Sequence, residues 1–152
     1  MRYLRQRQAA LWCAPALLLL TGCGAAKPDC NAQEVRDSVI TAISNSSDNA
    51  LVDYAINTSD AVKTKVTAAS SEADKSAILE KARKTAVYIL ADSIATNSKE
   101  ERAVTCSGTV FVTVEGETVQ KMVDYRVDQG QDGKLSVSVS PFKFDSSKDG
   151  SQ

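Results

Sequence analysis

Cysteine and carboxylate are the side chains from which this 152-residue chain could build chemistry, because it contains no histidine. Its four cysteines stand at 13, 23, 30 and 106. A cysteine or serine nucleophile needs a base to accept its proton, and the commonest base is missing. Zinc held by Cys30 and Cys106 would need carboxylates to complete its shell. Asp124 and Asp128 are the candidates for a carboxylate pair, but one falls inside a strand-like run and the other at its end, which fits a solvated surface better. Gly108, Gly116, Gly130 and Gly133 all have turn or strand explanations, so no phosphate-binding loop is present, and the chain shows no internal repeat or heptad. The expectation is a protein without catalytic activity, cofactor or metal.

The cysteines point instead to anchoring and crosslinking. Arg2, Arg5 and Arg7 precede an apolar stretch from Ala9 to Leu20, and the first 22 residues hold no acid. This is the layout of a signal peptide. The 12-residue stretch, interrupted by Pro15, falls short of the about 20 residues that a spanning helix needs.

The stretch ends in Leu20-Thr21-Gly22-Cys23, which resembles the lipobox of bacterial lipoproteins: leucine, two small or hydroxyl residues, then the cysteine that becomes the new N-terminus. The resemblance covers about the first 26 residues. It implies a diacylglycerol thioether on Cys23, removal of residues 1–22 and, commonly, acylation of the new amine. An ordinary secretory signal followed by a free or disulfide-bonded cysteine is the other reading. The resemblance further implies outer-membrane delivery, because Gly24 stands where an aspartate would tend to retain the protein at the inner membrane. Each buried methylene contributes about 0.8 kcal/mol, so one acyl chain binds marginally and two or three hold almost irreversibly.

Loss of Arg2, Arg5 and Arg7 leaves 15 basic residues against 19 acids, a net charge of −4. That balance argues against nucleic acid or anionic headgroups as partners. With Cys13 cut away and Cys23 lipidated, Cys30 and Cys106 remain for the folded part, and a leftover pair in an oxidising compartment usually forms one disulfide. Two separate buried thiols are the alternative.

Residues 23–29 form a short lipidated tether that leads into a single domain over 30–144. Asn31 and Glu34 suggest a capping-box start to a helix with Val35, Val39, Ala42 and Ile43 on one stripe. Residues 50–57 suggest a short helix, and Ser59 with Asp60 opens another. Ser70 or Ser71 caps a long one, in which Ile78, Ala82, Thr85, Ile89 and Ser93 share a stripe beside Leu79, Ala86 and Leu90. Near Lys99 the period changes from 3.6 to 2. Val104 to Val114, Val119 to Val127 and Leu135 to Val139 then read as three strands joined by turns at Glu115-Gly116 and Asp132-Gly133. The fold expected is α+β, with N-terminal helices on one face of a three-stranded antiparallel meander, in two layers. Phe142 and Phe144 extend the last strand or plug the layer's end, and residues 145–152, without an apolar side chain, are expected to be disordered.

Two functions remain. The first is a lipid-anchored, periplasm-facing interaction module of the outer membrane, of an assembly, exclusion or toxin-neutralising kind. It would use the last strand, Leu135, Val137 and Val139, as an edge for another envelope protein. The second is a carrier of a small apolar ligand, loosely like the cone-shaped folds of some small lipoproteins, with Tyr54, Tyr88 and Tyr125 lining a pocket between helices and sheet. With aromatics at only 5% of the chain, most large apolar residues are needed for packing.

Overall fold

The computed structural model describes residues 27–140. The lipobox with Cys23, the first part of the tether, Phe142, Phe144 and the tail from Asp145 lie outside the described residues. Four helices come first: α1 (Gln33–Ser44), α2 (Ala50–Thr58), α3 (Asp60–Ala68) and α4 (Glu72–Lys84). Four strands follow: β1 (Val87–Lys99), β2 (Ala103–Val114), β3 (Glu117–Gln129) and β4 (Leu135–Val139). They form one antiparallel sheet in the order β1-β2-β3-β4.

The class is therefore α+β, but the meander has four strands where the sequence suggested three. The extra strand comes from the second half of the helix expected to run past Lys84. Thr85 ends α4, its hydroxyl donating to the carbonyls of Lys81 and Ala82, and the chain then enters β1. Val87-Tyr88-Ile89 is β-branched and aromatic, a composition that favours a pleated surface. Pairing with β2 buries Leu90 and leaves Val87 and Ile89 on the opposite face, exposed at 55% and 56%. No glycine or proline separates the two elements, so a helical stripe could be drawn straight through the junction.

The strand β1 is irregular. Its register against β2 shifts between Leu90, opposite Val110, and Ile94, opposite Gly108. A Cβ on Gly108 would lie 3.0 Å from Leu90 Cδ1, so the bare glycine lets Leu90 and Ile94 close over β2. At the other end of β2, the Glu115-Gly116 turn has φ of 48° and 89°, the left-handed pair that suits a two-residue hairpin. Glu115 carries the less favourable of the two conformations and is held by a 2.7 Å ion pair to Lys65 of α3.

Along β2, inward residues from Val104 to Val114 are buried while the intervening threonines and serine are half-exposed. These inward residues, with Val123, Tyr125 and Val127 of β3, form one core with Val35, Val39 and Ile43 of α1 and with Leu51, Val52 and Ala55 of α2. The helix α2 packs on the central strands, whereas α1 contacts both outer strands, β1 and β4. One helix can do this because 12 residues span about 18 Å and the outer strands of four lie about 14 Å apart.

Ser59 and Ser71 cap α3 and α4 as expected from sequence, through the amides of Val62 and Asp74. Asn31 does not cap α1. The N-cap position is Ala32, without a side-chain cap, and the Asn31 backbone N–H donates to Asp29 Oδ1 at 3.0 Å. The chain is already fixed there, since Cys30 is bonded to Cys106 with their Cα atoms 5.9 Å apart.

Replacing both cysteines by alanine removes a crosslink across 76 positions of chain. The expected loss is about 2–5 kcal/mol, read as a lower urea midpoint than the oxidised parent.

Candidate functional site

Cys30 and Cys106 are both buried, at 1% and 0% exposure, on the core side of β2. Beside them the Tyr125 hydroxyl donates to the Cys30 carbonyl at 3.1 Å. Cys106 and Tyr125 are cross-strand partners, so one rung of the sheet holds the chain entry covalently and by hydrogen bond. Such a bonded, enclosed sulfur pair offers no accessible thiolate for catalysis.

Asn49 ties together three elements that no local pattern links. Its Oδ1 accepts from the Val52 amide at 3.2 Å, capping α2, while Nδ2 donates to the Ile43 carbonyl at 2.9 Å and to the Tyr88 hydroxyl at 3.1 Å. The side chain is buried and satisfied. In the sequence Asn49 looks like one member of a polar turn, and its role is visible only once β1 brings Tyr88 above it.

The three tyrosines considered for a ligand pocket do not converge. Tyr125 is buried under Cys30, Tyr54 is 38% exposed on α2, and Tyr88 borders a surface groove of ≈ 350 Å³ with Arg36 and Ile40. An open pocket of ≈ 490 Å³ lies among Lys65, Ala69, Ile78, Lys81 and Glu115, at the rim of α3 and α4 and away from those tyrosines.

The carboxylates are also dispersed. Asp124 accepts from the Ser107 hydroxyl, and Asp128 accepts from Arg126 Nε at 2.9 Å. Four residues apart on one strand, they lie about 13 Å from each other, and Arg126, between them in sequence, also reaches Glu100 at 3.1 Å. That guanidinium is pushed above its ordinary range, first by the hydrogen bond to Glu100 and then by Asp128. The Glu115 carboxyl is lowered by the hydrogen bond and charge of Lys65. Among the described residues, no group of three or more cysteines, aspartates and glutamates is arranged to hold a metal ion.

The remaining candidates are the two edges of the sheet. At β1, Arg36 of α1 donates to the carbonyls of Leu90 and Ala91, at 2.7 and 3.1 Å, and pairs with Asp92 at 3.0 Å. Bulge and guanidinium together obstruct a strand that would pair there. At β4 the Ser140 amide donates to the Asp124 carbonyl at 2.9 Å. By strand alternation Ser136 and Ser138 also face β3, so Leu135, Val137 and Val139 turn their amides and carbonyls to the open edge. Their side chains, half-buried, pack against the core.

Comparison of the chain with protein-family models, with curated proteins and with solved structures gives no match.

Burial raises the phenols of Tyr88 and Tyr125 above the ordinary value of 10.0, each opposed by an arginine, Arg83 and Arg36 respectively. A raised acid contributes stability that is fully present below the unfolded value and is lost as pH rises through the folded one. Alkaline titration followed by phenolate absorbance should show two late-titrating tyrosines and stability falling above about pH 10. Tyr125→Phe should remove one late phenol and lower stability by about 1–3 kcal/mol, because the Cys30 carbonyl loses its donor.

Proposed function

We propose that this chain is a lipid-anchored lipoprotein of the outer membrane, periplasm-facing, whose domain is a non-catalytic interaction module for another envelope protein. Assembly, exclusion and toxin neutralisation are the kinds of task such a module serves. The observation that carries the reading is the unequal treatment of the two sheet edges. β1 is bulged and its Leu90 and Ala91 carbonyls are occupied by Arg36, whereas β4 presents the backbone of Leu135, Val137 and Val139 in a five-residue run of unbroken register. A partner segment entering as a further strand would find main-chain hydrogen bonds there and the half-buried side chains as its lateral pockets.

Anchoring suits such a task. The seven residues from Cys23 to Asp29 reach about 24 Å when extended, so acyl chains on Cys23 would hold the domain near the bilayer surface. Confinement raises the local concentration of a membrane-resident partner without any added contact. Packing of Val39, Ile43, Leu51 and Val52 against the inward face of the sheet leaves the carrier reading with less support, because those side chains occupy the space a ligand would need.

Two measurements test the reading. Cys23→Ser should move the protein from the membrane to the soluble fraction of intact cells; continued sedimentation with membranes would sink the anchor. A photoreactive side chain at Ser138 should crosslink to one envelope protein in cells, and Val137→Pro should abolish that product. Proline at 137 removes an outward amide while sparing the bonds to β3, so its fold should persist. A crosslink that survives Val137→Pro would place the partner elsewhere.

A further inference from the structure

The helices α3 and α4 pack against each other, and the turn between β2 and β3 reaches their rim through Glu115 and Lys65. Spacings of three and four put Lys65, Ala68 and the C-cap residue Ala69 on one side of α3, and Asp74, Ile78 and Lys81 on one side of α4. These two sides line the open pocket of ≈ 490 Å³, a size within the range of about 300–1,000 Å³ found for small-molecule sites. Its floor is apolar. Ala69 and Ile78 are half-buried, and Ile78 packs against the core, which fixes the floor from below. The pocket is also polarised along its length. At one end Glu115 pairs with Lys65 at 2.7 Å, and the charge of Lys81 acts on the same carboxylate. At the other, Asp74 accepts from the Ser71 hydroxyl at 2.7 Å at the start of α4. Asp74 and Lys81 are seven residues apart, about 10 Å along the helix, so the first end holds two ammonium groups around one carboxylate.

We propose that this pocket binds a small aliphatic monocarboxylate, its carboxylate held by Lys81 and Lys65 and its carbons laid along Ile78, Ala68 and Ala69. The local excess of one positive charge selects a single negative group, and the apolar floor beside it selects what that group is attached to. Glu115 keeps Lys65 at the rim and opposes a second negative charge on the ligand. Its backbone stands at φ 48°, which glycine, asparagine and aspartate adopt more readily, so the turn bears a cost to set this longer carboxylate beside the lysines. The positive end of α4 is not the attraction, because Glu72 and Asp74 of its first turn already meet it. Alanine at 68 and 69 leaves the space that longer side chains would fill.

This inference stands apart from the proposed docking at Leu135 to Val139 and does not depend on lipidation. Amide NMR of the full chain, titrated with sodium hexanoate at constant ionic strength, tests it. Shifts should be confined to the neighbourhood of Ala69, Ile78, Lys81 and Glu115 and should saturate with a Kd on the order of 1 mM, the strength within reach of a ligand of about eight heavy atoms. Hexylamine has the same carbons and the opposite charge, and acetate the same charge with almost no apolar body; each should bind about tenfold more weakly or worse. Lys81→Met should weaken hexanoate about tenfold. Lys84→Met, which removes an exposed cation of the same helix outside the pocket, should leave its binding unchanged. Ala69→Leu, which fills the floor, should abolish the local shifts while the rest of the spectrum reports an intact fold. Absence of saturable shifts, shifts spread over the whole surface, equal binding of hexylamine, or equal weakening by Lys84→Met would overturn the proposal.

Discussion

The bond between Cys30 and Cys106 fixes the relation of everything before the sheet to the sheet itself. It sits on the buried side of β2, on the same rung as Tyr125, whose hydroxyl donates to the carbonyl of the same Cys30. The chain therefore enters its first helix from a point fastened to the middle of the sheet, and α1 has little choice but to lie across the core face toward the outer strands. A domain of this size with few aromatics gains little from individual large side chains, and its core is mostly valine, alanine and cysteine. Closing the long segment from 30 to 106 lowers the entropy of the unfolded chain and offsets the modest burial.

Two polar side chains complete that frame. Asn49 joins the end of α1, the start of α2 and Tyr88 of β1, and Arg36 joins α1 to the bulge of the same strand. Both act on β1, the strand least secured by burial. Its inward positions are Tyr88, Leu90 and Ile94, of which only Leu90 is fully buried. Polar fastening thus compensates for thin apolar contact at one edge, and it also makes that edge a poor template for another strand. The opposite edge has no comparable guard over the described part of β4. Over the described residues one side of the sheet is thus obstructed and the other leaves its outer backbone groups exposed.

Much of this was readable from local pattern because the governing forces act over a few residues. The alternation of Val104 to Val114 follows from the two-residue pleat, the caps at Ser59 and Ser71 from free amides within one turn, and the hairpin at Glu115-Gly116 from the left-handed backbone that glycine accepts. The cap expected at Asn31 failed for the opposite reason: a covalent bond to a residue 76 positions away had already set the entry of the chain. Likewise Asn49, Arg36 and Tyr125 carry no local signature, since their partners come from elements brought near only by folding.

Residues 85–99 mark the boundary most clearly. Ile78, Ala82, Thr85 and Ile89 do lie on one helical stripe, and Val87 to Leu90 equally alternate; composition favours the strand only weakly. Pairing with β2 supplies the missing term, because it gives that segment a ladder of hydrogen bonds and a place over Gly108 for Leu90. The sequence by itself determined the α+β class, the hairpin turns and which side of β2 and β3 would be buried, all consequences of short-range periodicity. Only the tertiary structure decided the fourth strand, the fastening of β1 by Arg36 and the place of Asn49 under Tyr88, because strand order and side-chain contact depend on partners distant along the chain.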